Sequence, residues 1–330
     1  MIIVGMSFLR IRLMSSLLLL GVVWVGAVAQ KAVAPAKNAK PLGPALFAGF
    51  KNNGEDGVYF AISKDRYHWT LINDGKPVVG PTDAGELMRD PFVQRGPDGS
   101  FRMVWTWAWR KPAVLGYSSS KDLLHWEKHR QLDVMKDKPT AMNAWAPALY
   151  WDAGASEWLI FWSSTVPAVD AKEPVLDHRI YSTVTPDFVS FKPATIFFDP
   201  GYNVIDATIL QAESRYFLVF KDERTVPLEK HILTAVGPTL RGPWIGLSEP
   251  FTETWSEGGA GIAVPGGYVV YYDHYRAPQH YGAAFSADMK VWKDVTGEIA
   301  MPVGMRHGSL LTITEAEYAR LAAYRGEGAK

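Results

Sequence analysis

Four polar residues stand at the heads of short apolar runs at a nearly regular interval. Asp90 heads Asp90-Pro91-Phe92-Val93, and Asp206 stands in Val204-Ile205-Asp206-Ala207-Thr208-Ile209-Leu210. Glu257 stands in Ser256-Glu257-Gly258-Gly259-Ala260-Gly261-Ile262-Ala263-Val264, and His307 in Arg306-His307-Gly308-Ser309-Leu310-Leu311-Thr312-Ile313. Asp206, Glu257 and His307 follow one another at 51 and 50 residues, and Asp90 precedes Asp206 by 116, about two such periods. Pro91 has no N–H for a sheet ladder and suits the first residue of a strand, which puts Asp90 at a strand mouth. A fold that stacks one sheet per period around an axis brings all four to one pocket. Three carboxylates meeting there suit acid/base work. One takes a proton, one gives a proton, and the charge of the third raises the pKa of the acid.

The elements that must position them read as strands. Apolar, β-branched and aromatic runs such as Val58-Tyr59-Phe60-Ala61-Ile62, Trp158-Leu159-Ile160-Phe161-Trp162 and Tyr268-Val269-Val270-Tyr271-Tyr272 alternate with Gly, Pro, Asp and Asn. The first helical signal comes at the end, where Thr314 and Glu317 form a capping box. An internal repeat sets the architecture. Ser63-Lys64-Asp65-Arg66-Tyr67-His68-Trp69 recurs as Ser120-Lys121-Asp122-Leu123-Leu124-His125-Trp126 and as Ser286-Ala287-Asp288-Met289-Lys290-Val291-Trp292. Thr185-Pro186-Asp187-Phe188-Val189-Ser190-Phe191 is a looser copy, and Thr239-Leu240-Arg241-Gly242-Pro243-Trp244 a degenerate one. The closing aromatics are 57, 65, 53 and 48 residues apart. Ser and Asp make local turn bonds, and the aromatic then starts a strand and packs between neighbouring sheets. Five copies predict an all-β fold, a five-bladed β-propeller of four-stranded blades. The segment 306–313 is expected to pair with the N-terminal blade and close the ring. The propeller then spans 44–314, and a short C-terminal helix and tail fill 315–330.

The totals narrow the function further. The chain has 330 residues, 48% of them hydrophobic, and a formal net charge of zero. That is ample for a large core, and it offers no basic excess for nucleic acid or a membrane surface. It has no cysteine, which excludes disulfides, thiolate metal sites and cysteine nucleophiles. Arg10 and Arg12 precede the apolar run Leu17 to Val25, and Ala27-Val28-Ala29 offers a cleavage site. Residues 1–29 therefore read as a signal peptide and 30–43 as a flexible lead-in, with the mature protein secreted or periplasmic and free of the membrane. The glycines at 258, 259 and 261 are not followed by the helix and Lys-Ser/Thr of a phosphate loop. No Gly-x-Ser-x-Gly elbow occurs, and His125 and His129 lie in a strand-like stretch where they share no helical metal face.

The motifs Asn73-Asp74-Gly75-Lys76-Pro77-Val78, Arg89-Asp90-Pro91-Phe92, Asn143-Ala144-Trp145-Ala146-Pro147, Phe220-Lys221-Asp222-Glu223 and Arg306-His307-Gly308 come in one order. Together, from about residue 45 to 314, they resemble the five-bladed glycoside hydrolases of family 43, the clan of arabinanases, arabinofuranosidases and β-xylosidases. The resemblance implies an inverting glycosidase. Asp90 is then the general base, Glu257 the general acid, and Asp206 the residue that orients the acid and keeps it protonated. Inversion sets base and acid roughly 6.5–9.5 Å apart, with a water between base and sugar. Trp145, Lys221, Glu223 and Arg306 are expected to contact the sugar. His307 matches a histidine near the propeller axis that can border a metal through water. No cofactor is required, with room for a structural Ca2+ at the axis. The expected partner is an oligo- or polysaccharide carrying terminal α-L-arabinofuranosyl or β-xylosyl units, and the protein is expected to be a monomer. Galactan- or fructan-type specificity and a non-catalytic carbohydrate-binding propeller are the alternatives. Two positions depart from the family: Ala148 where it often has Glu, and Gly258-Gly259 where it often has Gly-Pro.

Overall fold

The computed structural model describes residues 42–172 and 175–326. The expected signal peptide and all but the last two residues of the lead-in lie outside them. Among the described residues no helix is long and apolar enough to cross a membrane.

Five sheets follow in chain order. The first holds β1 (Ala45–Phe50), β2 (Tyr59–Ser63) and β3 (Thr70–Leu71), and the second β4 (Arg89–Arg95), β5 (Phe101–Thr106), β6 (Leu115–Ser120) and β7 (Arg130–Leu132). The third holds β8 (Trp145–Asp152), β9 (Glu157–Ser164), β10 (Arg179–Thr185) and β11 (Thr195–Phe198). The fourth is β12 (Val204–Ala212), β13 (Arg215–Asp222) and β14 (Ile232–Gly237), and the fifth β15 (Ser256–Val264), β16 (Gly267–His274), β17 (His280–Ser286) and β18 (Lys293–Asp294). Finally β19 (Arg306–Thr312) pairs antiparallel with β1, from Ala45 opposite Thr312 to Gly49 opposite Gly308, and becomes the inner strand of the first blade. The inner strands β19, β4, β8, β12 and β15 each touch the next, and β15 touches β19, so the ring is closed. Closure gathers the inner sheet edges around the axis, where they are sheltered from pairing with another chain.

The repeated heptad is the turn between the third and the outer strand of a blade. Ser63 Oγ accepts from Arg66 N at 2.7 Å, and Asp65 Oδ1 accepts from Tyr67 N and His68 N at 2.9 and 2.8 Å. The same bonds recur at Ser120 and Asp122, and at Thr185 and Asp187. The fourth residue of four copies, Arg66, Leu123, Phe188 or Met289, has positive φ and a buried side chain, and the degenerate copy has Gly242 there, also at positive φ. The aromatic that follows joins blades. Trp69 meets Tyr271 of the fifth blade edge-on at 5.8 Å, Trp126 meets Phe60 of the first, and Trp244 meets Phe197 of the third.

The expected four strands per blade fail once. The fourth sheet has three, and its outer strand shrinks to a bridge between Val236 and Ile245. This is the blade of the degenerate copy. Thr239 there lacks the Asp two residues on, and its hydroxyl bonds Gly242 O instead, so the chain leaves the turn without a strand-length partner. At the other end Thr314 and Glu317 close a reciprocal capping box at the start of α1 (Glu315–Ala323). Arg95 of the second blade grips Glu317 through both oxygens at 2.8 Å, which seats the helix on the ring.

Candidate active site

The mouths of the inner strands share one irregularity. Pairing slips between Arg89 and Phe92, Trp145 and Ala148, Ile205 and Thr208, and Glu257 and Ala260. Each slip is a β-bulge whose second residue turns left-handed: Asp90 at φ 51°, Ala146 at 46°, Asp206 at 58° and Gly258 at 64°. A bulge re-aims a side chain at the end of a strand. Here it turns Asp90 and Asp206 toward the axis, at a backbone cost of order 1–3 kcal/mol for each non-glycine residue. In the first blade the pairing slips around His307, which takes the equivalent place. Glu257 therefore does not sit in the ring of Asp90, Asp206 and His307. It stands one residue earlier, in register with Arg89, Trp145, Ile205 and Arg306.

That offset divides the site into two halves. At the axis, His307 Nδ1 lies 3.3 Å from Asp90 Oδ1 and 3.8 Å from Asp206 Oδ2. Thr106 Oγ1 donates to Asp90 Oδ2 at 2.6 Å and accepts from Ala146 N at 2.7 Å. Gly258 N donates to Asp206 Oδ2 at 3.1 Å. Glycine is needed at 258 twice over: its φ is positive, and a Cβ there would stand 2.4 Å from Cγ of His307. In the other half, Lys221 Nζ lies 3.0 Å from Glu257 Oε2 and 2.8 Å from Glu223 Oε2, and above the Tyr275 ring at 4.4 Å. Arg306 Nη2 lies 3.1 Å from Glu257 Oε1, and its Nε donates to the buried Asp273.

The charges follow from these partners. Burial opposes ionisation of Asp90, but the hydrogen bond and charge of His307, with Arg89 and Thr106, outweigh it and lower the pKa to about 2. Burial likewise opposes a charged His307, but Asp206 and Asp90 outweigh it and raise the pKa to about 9. Asp206 is pushed up to about 7, by burial first and by Glu257 and Asp90, against the pull of His307. Glu257 goes the other way. Burial favours its neutral form, but Lys221 and Arg306 overcome that and hold it below the usual carboxylate range. Among these carboxyls, then, Asp206 is the one whose neutral form is favoured in the free site, and Glu257 is held toward its ionised form.

All eight residues singled out in the sequence, Asp90, Trp145, Asp206, Lys221, Glu223, Glu257, Arg306 and His307, line one cavity of about 480 Å³. Lys221 is 1% exposed and bound to two carboxylates, so its first role is to hold Glu257. Trp145 forms wall: its indole N–H donates to Trp109 O at 3.0 Å and its ring lies 4.9 Å from His178. Ala148 is fully buried in the core, outside the cavity lining. Asn53, Arg89, Thr106, Trp109 and Tyr275 also line the cavity and were not foreseen as site residues. Arg89 stacks between Phe50 and Trp109 and, like the Trp109 indole, donates to Asn53 Oδ1. Arg89 had a signal, its place beside Asp90. Asn53, Trp109 and Tyr275 come from irregular loops and had none.

The matching family model is a glycoside hydrolase 43-related family, described as a probable glycosyl hydrolase domain, and it spans residues 44–319. The chain belongs to glycoside hydrolase family 43. A relative, an α-L-arabinofuranosidase of Bifidobacterium longum, is 26% identical over an alignment of 233 residues that covers 63% of this chain. The chain spans 22% of that relative's length. Among solved structures, an exo-β-1,3-galactanase from Clostridium thermocellum superposes with a TM-score of 0.57 at 13% identity, over 79% of this chain and 60% of that one. An endo-1,4-β-xylanase from Bacteroides thetaiotaomicron gives 0.54 at 15% identity, over 81% and 97%. At such identities these two show the fold and nothing finer.

A Ca2+, which takes roughly six to eight oxygen ligands, would meet at the axis the carboxylates of Asp90 and Asp206 beside Nδ1 of His307.

Proposed function

We propose that this family-43 chain is a secreted glycosidase that releases terminal α-L-arabinofuranosyl or β-xylosyl units with inversion. One observation carries the reading: Asp90 and Asp206 share His307, while Lys221 and Arg306 hold Glu257 apart from them in the same cavity. Asp90, ionised, takes a proton from a water whose oxygen attacks the anomeric carbon. The bond to the leaving sugar breaks, and Glu257 supplies the proton to its oxygen. Glu257 must first be protonated, and Asp206, whose Oδ2 accepts from the N–H of the residue after Glu257, is the carboxyl that passes it the proton. A sugar hydroxyl that takes over Lys221 or Arg306 frees Glu257 to accept it. The raised pKa of Asp206 favours a second reading, in which Asp206 itself is the donor.

The arabinofuranosidase relative supports the sugar assignment. Galactan- or fructan-type substrates remain the alternative in the same cavity, and three ionisable carboxyls speak against a propeller that only binds. A panel of aryl-glycosides, with the product anomer followed by NMR, tests both substrate and stereochemistry. A first-formed sugar that keeps its configuration overturns inversion. Export rests on the leader sequence, and exported protein should begin at Gln30 by N-terminal sequencing.

A further inference from the structure

We propose that Glu253, His274 and His280 form a binding site for one divalent transition-metal ion, of which Zn2+ is the natural probe, outside the catalytic cavity. His274 ends β16 and His280 begins β17, directly opposite each other in the ladder. Their rings stack at 4.6 Å with an interplanar angle of 18°. Glu253 reaches both from the segment before β15: its Oε1 lies 2.8 Å from His280 Nε2, and its Oε2 3.9 Å from His274 Nε2. The three ligand atoms lie within 4.8 Å of one another, and they are the one such grouping found among the described residues.

Two further observations point to a ligand. Nδ1 of His280 donates to the Pro278 carbonyl at 3.0 Å, so Nε2, which donates to Glu253 Oε1 at 2.8 Å in the ion-free site, is the nitrogen that would give up its proton to an ion. Metal-bound histidines commonly donate their second N–H to a backbone carbonyl in this way. His274 Nε2 lies 3.9 Å from Glu253 Oε2, beyond hydrogen-bond reach, and an ion between the three would bond that nitrogen. Zinc bonds of about 2.0–2.2 Å in a tetrahedron put ligand atoms about 3.3 Å apart, and the present 2.8 and 3.9 Å bracket that spacing. Two imidazoles and one carboxylate suit Zn2+ and its neighbours, and leave a fourth place for solvent at the exposed Glu253. They do not suit Ca2+, which wants oxygen ligands alone.

The place matters to the cavity. Ser256 Oγ donates to Glu253 O at 2.7 Å, and Ser256 pairs with His274, one residue from the pair Glu257 and Asp273. A bound ion would tie the segment leading into Glu257 to the hairpin that carries Asp273 and Tyr275.

The test is calorimetric titration of ZnCl2 into the tag-free full chain, with the thermal midpoint followed alongside. One equivalent should bind, and the midpoint should rise with free Zn2+, because a ligand that binds only the folded state stabilises it. Glu253→Gln and His280→Asn should each weaken binding at least tenfold. Both side chains are partly exposed, at 47% and 37%, so circular dichroism should show the fold retained. Asp90→Asn should keep the full equivalent, which separates this site from the axis. Visible absorption of Co2+ bound to the unaltered protein, displaced by Zn2+, reads the site without any substitution. No bound equivalent, an undiminished one in both ligand variants, or equal binding of Ca2+ overturns the proposal.

Discussion

His307 Nδ1 lies 3.3 Å from Asp90 Oδ1, so the strand that ends the propeller meets the first strand of the second blade across the axis. The ion pair lets Asp90 stay charged although it is buried. Asp90→Asn should therefore remove the water's activation with little change of shape. We expect kcat to fall by roughly 10²–10⁴, the usual contribution of a placed acid or base, with KM little changed. A loss under tenfold would falsify its role as the base.

The two candidate donors separate by leaving group. Glu257→Gln should be severely slowed on aryl-glycosides with a basic leaving group and nearly normal on dinitrophenyl glycosides, which need no proton. If Asp206→Asn shows that selectivity and Glu257→Gln is slowed equally on both, Asp206 is the donor.

Lys221 is buried against Glu257 and Glu223, and those carboxylates raise its own pKa despite the burial. Lys221→Met should release the hold on Glu257 and move the alkaline limb of the kcat/KM profile, which reports the acid, to higher pH. Breaking one side of a buried ion pair costs about 3–5 kcal/mol, so denaturant unfolding should show a loss of that order. An unmoved limb would mean that Lys221 does not set the charge of Glu257.

The axis predicts how stability depends on pH. His307 rises from 6.5 to about 9 on folding, so its contribution is full below pH 6.5 and is lost as pH climbs through 9. Asp206, raised from 3.8 to about 7, also favours the protonated fold, and that contribution is lost as pH climbs through 7. Asp90, lowered from 3.8 to about 2, contributes above 3.8 and loses it as pH falls through 2. The thermal midpoint should thus be higher near pH 5 than near pH 9, and His307→Gln should flatten the alkaline part of the fall. A midpoint that climbs steadily to pH 9 contradicts this assignment.

Ring closure by β19 can be tested by ending the chain at Met305. The first blade then loses its inner strand and β1 is left with an open edge, so cooperative unfolding should give way to a broad transition. A sharp transition at the unaltered midpoint would show that the strand contributes little.

What the chain reveals without its fold is whatever rests on local bonds. The Ser-x-Asp turns are satisfied by N–H groups two or three residues away, so Ser63 with Asp65 and Ser120 with Asp122 announce their blades in the sequence. The weak copy at Thr239 announces the blade that falls short. The heads of the inner strands show in the same way, because Asp90, Asp206, Glu257 and His307 interrupt apolar runs at the blade period. Tertiary structure alone decided what those groups are. Glu257 sits one bulge position away from the two aspartates, and a single residue of register changes its neighbours from His307 to Lys221 and Arg306. The charge of a buried group is the sum of fields from other blades, and no spacing along the chain encodes that sum. Glu253, His274 and His280 escaped notice for the same reason: their convergence is made by a hairpin register and a loop rather than by any repeat.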